Sequence, residues 1–125
     1  MIEINLYKDI LCITIDESRI ERFCALFAEQ EFELKQGGDE RLKCDRDMRL
    51  KFARGERSEA VVTKNCVSIL AGEREFNEIA RLLENYLRGD RRFPLDISLE
   101  QLGFAIAPAE ICDIVFECEE FKERV

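Results

Sequence analysis

IEINLYKDILCITIDESRIERFCALF, residues 2–27, changes its hydrophobic period once, and that change decides the fold class. Ile2, Ile4 and Leu6 alternate with Glu3, Asn5 and Tyr7, the period of a half-buried strand. Lys8-Asp9 forms a two-residue turn, and the β-branched run ILCITI at 10–15 reads as a second, more buried strand. The period then becomes helical. Ser18 with Glu21 three residues on matches a capping box, and Ile20, Phe23, Cys24 and Phe27 line one helix face. The spacing predicts a helix over 18–30.

Working outward, residues 31–35 alternate again, with Phe32 and Leu34 inward. Gln36-Gly37-Gly38-Asp39 is a turn signal. Residues 40–54 place Leu42, Cys44, Met48, Leu50 and Phe52 on one side and Arg41, Lys43, Arg49 and Lys51 on the other, with a turn or bulge at Asp45-Arg46-Asp47. Residues 54–57 read as a polar turn and 60–70 as β-rich. A second helix is predicted over 73–88, with Phe76, Ile79, Ala80, Leu83, Tyr86 and Leu87 on one face and Gly89 at its C′ position. Residues 90–94 form a loop. Ser98 and Gln101 suggest a short third helix. Residues 108–122 follow helical spacing through Ile111, Ile114, Val115, Cys118 and Phe121, although DIVFEC also fits a strand; helix is favoured. ILCITIDESRIERFCALF and CVSILAGEREFNEIARLL, 56 residues apart, share a strand-turn-helix pattern. That echo fits either an internal duplication or the generic look of such a unit. The expectation is an α+β fold: a single antiparallel β-sheet with two or three helices packed on one face, in a single compact domain of residues 1–125.

The composition excludes much chemistry. With 19 Lys+Arg against 27 Asp+Glu, the 125-residue chain carries a formal charge of −8, and it contains no His. No Ser–His or Cys–His nucleophile and no imidazole ligand can be built. Nucleic-acid binding driven by overall charge is disfavoured. Phosphate-cradling glycine motifs are absent. Cys12, Cys24, Cys44, Cys66, Cys112 and Cys118 include no Cys-x-x-Cys pair, so they read as reduced structural thiols rather than metal ligands. Asp45-x-Asp47 lacks the Gly and closing Glu of a calcium loop. No catalytic, metal or cofactor residues are expected. The N-terminus has no signal-peptide pattern and no apolar stretch long enough for a bilayer span, so a cytoplasmic location without membrane contact is expected.

Charge placement is more informative. Residues 16–33 hold six acids against two bases, and 108–125 also hold six against two, whereas 35–57 hold eight bases against five acids. Clustered charge of one sign steers partners of the other. The candidate partner-binding residues are Asp16, Glu17 and Glu21 in the first cluster and Glu110, Asp113, Glu117, Glu119 and Glu120 in the second. The basic strand positions Arg41, Lys43, Arg49 and Lys51 lack an aromatic on their own face, since Phe52 alternates away, and so make no stacking platform for nucleic acid.

In its size, its α+β pattern and its acidic segments DESRIERF (16–23) and FECEEFKE (116–123), the chain resembles the small cytosolic immunity proteins of bacterial polymorphic-toxin and contact-dependent inhibition systems. That resemblance implies a non-catalytic protein that neutralises a cognate toxin, such as a nuclease, by occluding its active site with an acidic surface. The implied partner is a basic toxin domain. The alternative is an adaptor or regulatory module that self-associates through a strand edge.

Overall fold

The computed structural model describes residues 2–35, 42–43, 47–89 and 95–120, with the backbone alone at 42–43. Strands β1 (Ile2–Tyr7) and β2 (Ile10–Asp16) form the expected hairpin. A 3-10 turn, Glu17–Arg19, leads into helix α1 (Ile20–Leu26). Strands β3 (Glu31–Lys35), β4 (Leu42–Lys43) and β5 (Arg49–Gly55) follow. A second hairpin, β6 (Glu59–Val62) with β7 (Cys66–Gly72), precedes helix α2 (Glu73–Arg88). The chain closes with β8 (Asp96–Ser98), β9 (Ala105–Ala107) and β10 (Asp113–Glu119).

The expected single antiparallel sheet is incorrect. The described strands form two five-stranded sheets, ordered β4-β1-β2-β10-β8 and β3-β5-β7-β6-β9. Four of the pairings are parallel: β1 with β4, β2 with β10, β5 with β7, and β6 with β9. Alternation reports which face of a strand is buried but not which strand lies beside it. Two sheets sharing one core therefore satisfy the same hydrophobic pattern as one sheet under helices. α1, at seven residues, is too short to cover a broad sheet, and the second sheet supplies the missing cover.

Local corrections follow the same logic. The helix predicted over 18–30 is shorter: Asp16 caps the preceding 3-10 turn, its carboxylate accepting from the Ser18 N–H at 3.3 Å, and α1 runs from Ile20 with no side-chain cap to Leu26, where the chain turns toward β3. Tertiary connection overrides the helix propensity of Ala28, Glu29 and Gln30. Residues 113–119, favoured as helix, are strand β10, paired on both sides. The predicted helix at Ser98 is a turn closed by Phe104 N–H to Leu99 O at 3.0 Å, with Ser98 Oγ accepting from Gln101 N–H at 3.3 Å. α2 keeps its predicted bounds, but Gly89 is extended rather than left-handed. The 36–39 turn, Cys44, the Asp45-Arg46 pair and the 90–94 loop lie outside the described residues.

The two sheets are built alike. Each combines a hairpin and one short parallel edge strand from its own half of the chain with two strands from the other half. β1, β2 and β4 are joined by β10 and β8; β6, β7 and β9 are joined by β5 and β3. Each helix carries the chain out of one sheet and into the other. The registers repeat as well. Arg49 pairs with Cys66 and Phe52 with Ile69, as Asp113 pairs with Ile10 and Phe116 with Ile13. The hairpin positions correspond at the 56-residue spacing (Ile10 and Cys66). The later strands correspond at 64 (Arg49 and Asp113), because the whole connection from β7 to β10, with its longer helix, exceeds that from β2 to β5 by the difference. The echo in the sequence is thus a repeated architecture with exchanged strands.

Buried apolar residues form one cluster. At its centre Phe52 of β5 and Phe116 of β10, repeat counterparts on different sheets, meet at 5.7 Å between centroids. Phe23 of α1 and Phe27 at its C-cap contact Phe116 and Phe52 at 6.0 and 5.1 Å, and Phe27 reaches Phe76 of α2 at 5.1 Å. Phe52 is buried, and aromatic pairs of this kind add to area burial. Phe52→Ala should therefore destabilise the fold by about 3–5 kcal/mol, read from denaturant unfolding. Because each sheet needs strands from both halves, cutting the 56–58 loop should leave fragments 1–56 and 57–125 unfolded alone. Mixed, they should recover cooperative unfolding with a concentration-dependent midpoint; a fragment that unfolds cooperatively by itself would refute the exchange.

Candidate functional site

The outer face of the first sheet gathers carboxylates from four of its strands, β1, β2, β8 and β10. Because Ile13, Ile15, Ile114, Phe116 and Ile97 are buried, alternation turns Cys12, Thr14, Asp16, Asp113, Val115, Glu117, Glu119, Asp96 and Ser98 outward. Register then sets the neighbours. Glu117 lies between Thr14 and Asp96, and Asp16 lies beside Glu119. Glu3 flanks Thr14 from β1. Among the described side chains of β1, β2, β8 and β10, none on this face is Lys or Arg.

The predicted acids divide in three ways. Asp16, Asp113, Glu117 and Glu119 come together on this face. Glu110 and Glu120 lie exposed just outside the two ends of β10. Glu17 and Glu21 do not join them: they stand in the turn and the first turn of α1, where a helix N-terminus favours acids. Asp113 has an internal task, accepting from Ser98 Oγ at 2.5 Å and from Glu100 N–H at 2.9 Å, and so ties the 98–104 turn to β10. Sequence reading missed Glu3 and Asp96. Each stands alone in its own segment, and only strand pairing brings it to the face.

The field of this cluster is felt by the thiol in its midst. Burial pushes the Cys12 thiol above its ordinary range, and Glu117, Asp113 and Asp96 push it further. The free thiols of Cys24 and Cys66 are raised chiefly by burial. Cys112 is raised chiefly by its hydrogen bond to Asp9, with Sγ donating to Oδ2 at 3.0 Å. Raised thiols carry little thiolate at neutral pH and are poor nucleophiles. They are also less interior than expected: Cys112 is exposed, and Cys12, Cys24, Cys66 and Cys118 are half-buried. Among the described residues no group of three or more Cys, Asp or Glu is placed to hold a metal ion, and no helix is long and apolar enough to cross a membrane.

The second sheet offers a contrasting surface. A concavity of about 450 Å³ over β3, β5 and β7 is lined by Glu31, Glu33, Lys51, Ala53, Ser68 and Leu70. Its charges are mixed, and Arg49 pairs with Glu33 at its rim at 3.5 Å. The basic stripe read from sequence is divided: Lys43 belongs to β4 of the first sheet and Arg49 and Lys51 to β5 of the second, while Arg41 lies outside the described residues. Compared with protein families, characterised proteins and solved structures, the chain matches none.

The Asp9–Cys112 contact gives a pH test. Because the folded-state thiol is raised, alkylation of Cys112 should rise with pH to a midpoint above that of free cysteine, about 8.5. Asp9→Asn should move that midpoint down and speed alkylation at pH 8, followed by peptide mass mapping. An unmoved midpoint would remove Asp9 as the cause.

Proposed function

We propose that the chain is a non-catalytic protein-binding domain that holds a basic surface of another protein against the acidic outer face of its first sheet, as a toxin-neutralising immunity protein does. The observation that carries this reading is the comparison of the two sheets with each other. At equivalent register positions the second sheet has Arg49, Lys51, Ala53 and Gly55 where the first has Asp113, Val115, Glu117 and Glu119. The same strand pairing forms without the acids, so Glu117 and Glu119 are not demanded by the scaffold. Gathering like charges costs folding energy through self-repulsion, a cost offset when a partner of opposite charge arrives.

A basic cleft that binds phosphates, as in a nuclease, is the complementary surface in charge. Carboxylates seated at its mouth would exclude an anionic substrate by occupancy and repulsion, with no bond made or broken. Rim carboxylates would act chiefly on association rate and its salt dependence, and a few desolvated contacts on residence time.

The direct test is co-expression with the C-terminal domain of a secreted toxin encoded beside this chain's gene. Co-purification and protection of the cells are expected. Failure to associate, or continued sensitivity, would refute the reading. In the complex, joint reversal of Asp96, Glu117 and Glu119 to Lys should slow association at least about ten-fold and flatten its salt dependence. Glu31→Lys, on the second sheet, should leave the rate unchanged.

A further inference from the structure

We infer that the tip of the β1–β2 hairpin, Tyr7 with Ile10, is the apolar anchor of a docking surface whose remainder is the acidic sheet face, and that its occupant is a folded protein presenting basic residues around an apolar pocket. This rests on the protein-binding reading above and adds the residues that would carry affinity. Tyr7 and Ile10 are, at 63% and 37%, the exposed large hydrophobics on this face among the described residues, Leu6 lying on the opposite face. Tyr7 and Ile10 are a cross-strand pair, and Ile10 is in register with Asp113 on its other side. The apolar tip is therefore continuous with the acidic face.

The repeat supplies an internal control here as well. Both hairpin turns are bonded to the neighbouring parallel strand at equivalent carbonyls, from donors one register position apart: the Cys112 N–H donates to Asp9 O at 2.7 Å, and the Arg49 N–H donates to Asn65 O at 2.9 Å. At the second tip, however, Thr63 and Cys66 occupy the places of Tyr7 and Ile10. The hairpin turns and pairs without exposed apolar side chains, so Tyr7 and Ile10 have no folding role that Thr and Cys do not fill. The first tip is additionally held by the Cys112 Sγ to Asp9 Oδ2 bond and by Lys8 in the left-handed region at φ 56°. An anchor held in place loses little entropy on binding, and Tyr ringed by polar groups is a recurrent hot-spot residue.

Charge selects the occupant. The carboxylate of Asp113 beside the tip and those of Glu117 and Asp96 farther along the face repel nucleic acid and anionic membranes. A second copy docked about a twofold axis would set these acids against themselves. A basic protein surface is what remains complementary to both the ring and its apolar centre.

The test uses the full chain, immobilised, against a random-peptide phage library, with binding of the selected peptides then titrated. The selected peptides should combine Arg or Lys with an aromatic or leucine. Tyr7→Ser and Glu117→Lys should each weaken them at least about ten-fold, and Thr63→Ala should have no effect. Unchanged thermal midpoints would show that the variants are folded. Loss with Glu117→Lys but not with Tyr7→Ser would overturn the anchor and leave the acidic-face reading standing. Insensitivity to both would overturn both. Light scattering that finds a dimer dissolved by Tyr7→Ser would assign the tip to a second copy and overturn the heterologous partner.

Discussion

The contact between Phe52 and Phe116 is the constraint on which the rest of the structure depends. These rings occupy equivalent places in the two halves but belong to different sheets, and they meet at 5.7 Å. Each is buried on a strand that pairs in parallel with the opposite half's hairpin. The contact therefore requires both exchanges at once. If β5 returned to its own hairpin, Phe52 would lie in the first sheet and the facing sheet would lose its central partner. The rings of α1 and its C-cap complete the arrangement: Phe27 bridges Phe52 and Phe76, and Phe23 reaches Phe116. The centre of the core is an aromatic cluster fed from both sheets and both helices, surrounded by aliphatic side chains.

That interior is nearly symmetric and the exterior is not. Inside, Leu11 and Val67, Ile13 and Ile69, Ile20 and Phe76, and Leu50 and Ile114 exchange one apolar shape for another. Packing tolerates such swaps when total volume is kept. Outside, Asp113 stands opposite Arg49 in the repeat, Glu117 opposite Ala53, and Tyr7 opposite Thr63. Nothing in strand pairing forces that divergence. The surface is thus free to differentiate while the scaffold stays fixed, and one half serves as the reference against which the other's surface residues can be read.

The reach of sequence reading is visible in particular elements. The β1–β2 hairpin and α2 were legible because their periods are clean and their turn residues are local. α1 was overextended because propensity at Ala28–Gln30 does not register that the chain must enter another sheet. β10 differs from the helix its spacing suggests: Ile111, Ile114, Val115 and Cys118 fit a helical face, and its status as an interior strand, paired with β2 and β8, depends on segments just over 100 and about 20 residues away. Of the acidic residues, the C-terminal cluster was found by local charge density. Asp96 and Glu3 were missed because they are isolated along the chain, and Glu17 and Glu21 were included because proximity in sequence resembles proximity in space.

By itself, the sequence determined which chemistry the chain lacks and which side of its clean strands and helices turns inward. The absent imidazole, the net −8 and the alternation between strand and helix periods are properties of residues and short windows, and they survive any topology. Only the tertiary structure decided that there are two sheets, that each borrows strands from the other half, and that scattered carboxylates share one face. The physical reason is that hydrophobic burial is non-directional: it dictates which side of a strand turns inward, while backbone hydrogen bonding between distant segments chooses the neighbour, and that choice is made only when the whole core closes around Phe52 and Phe116.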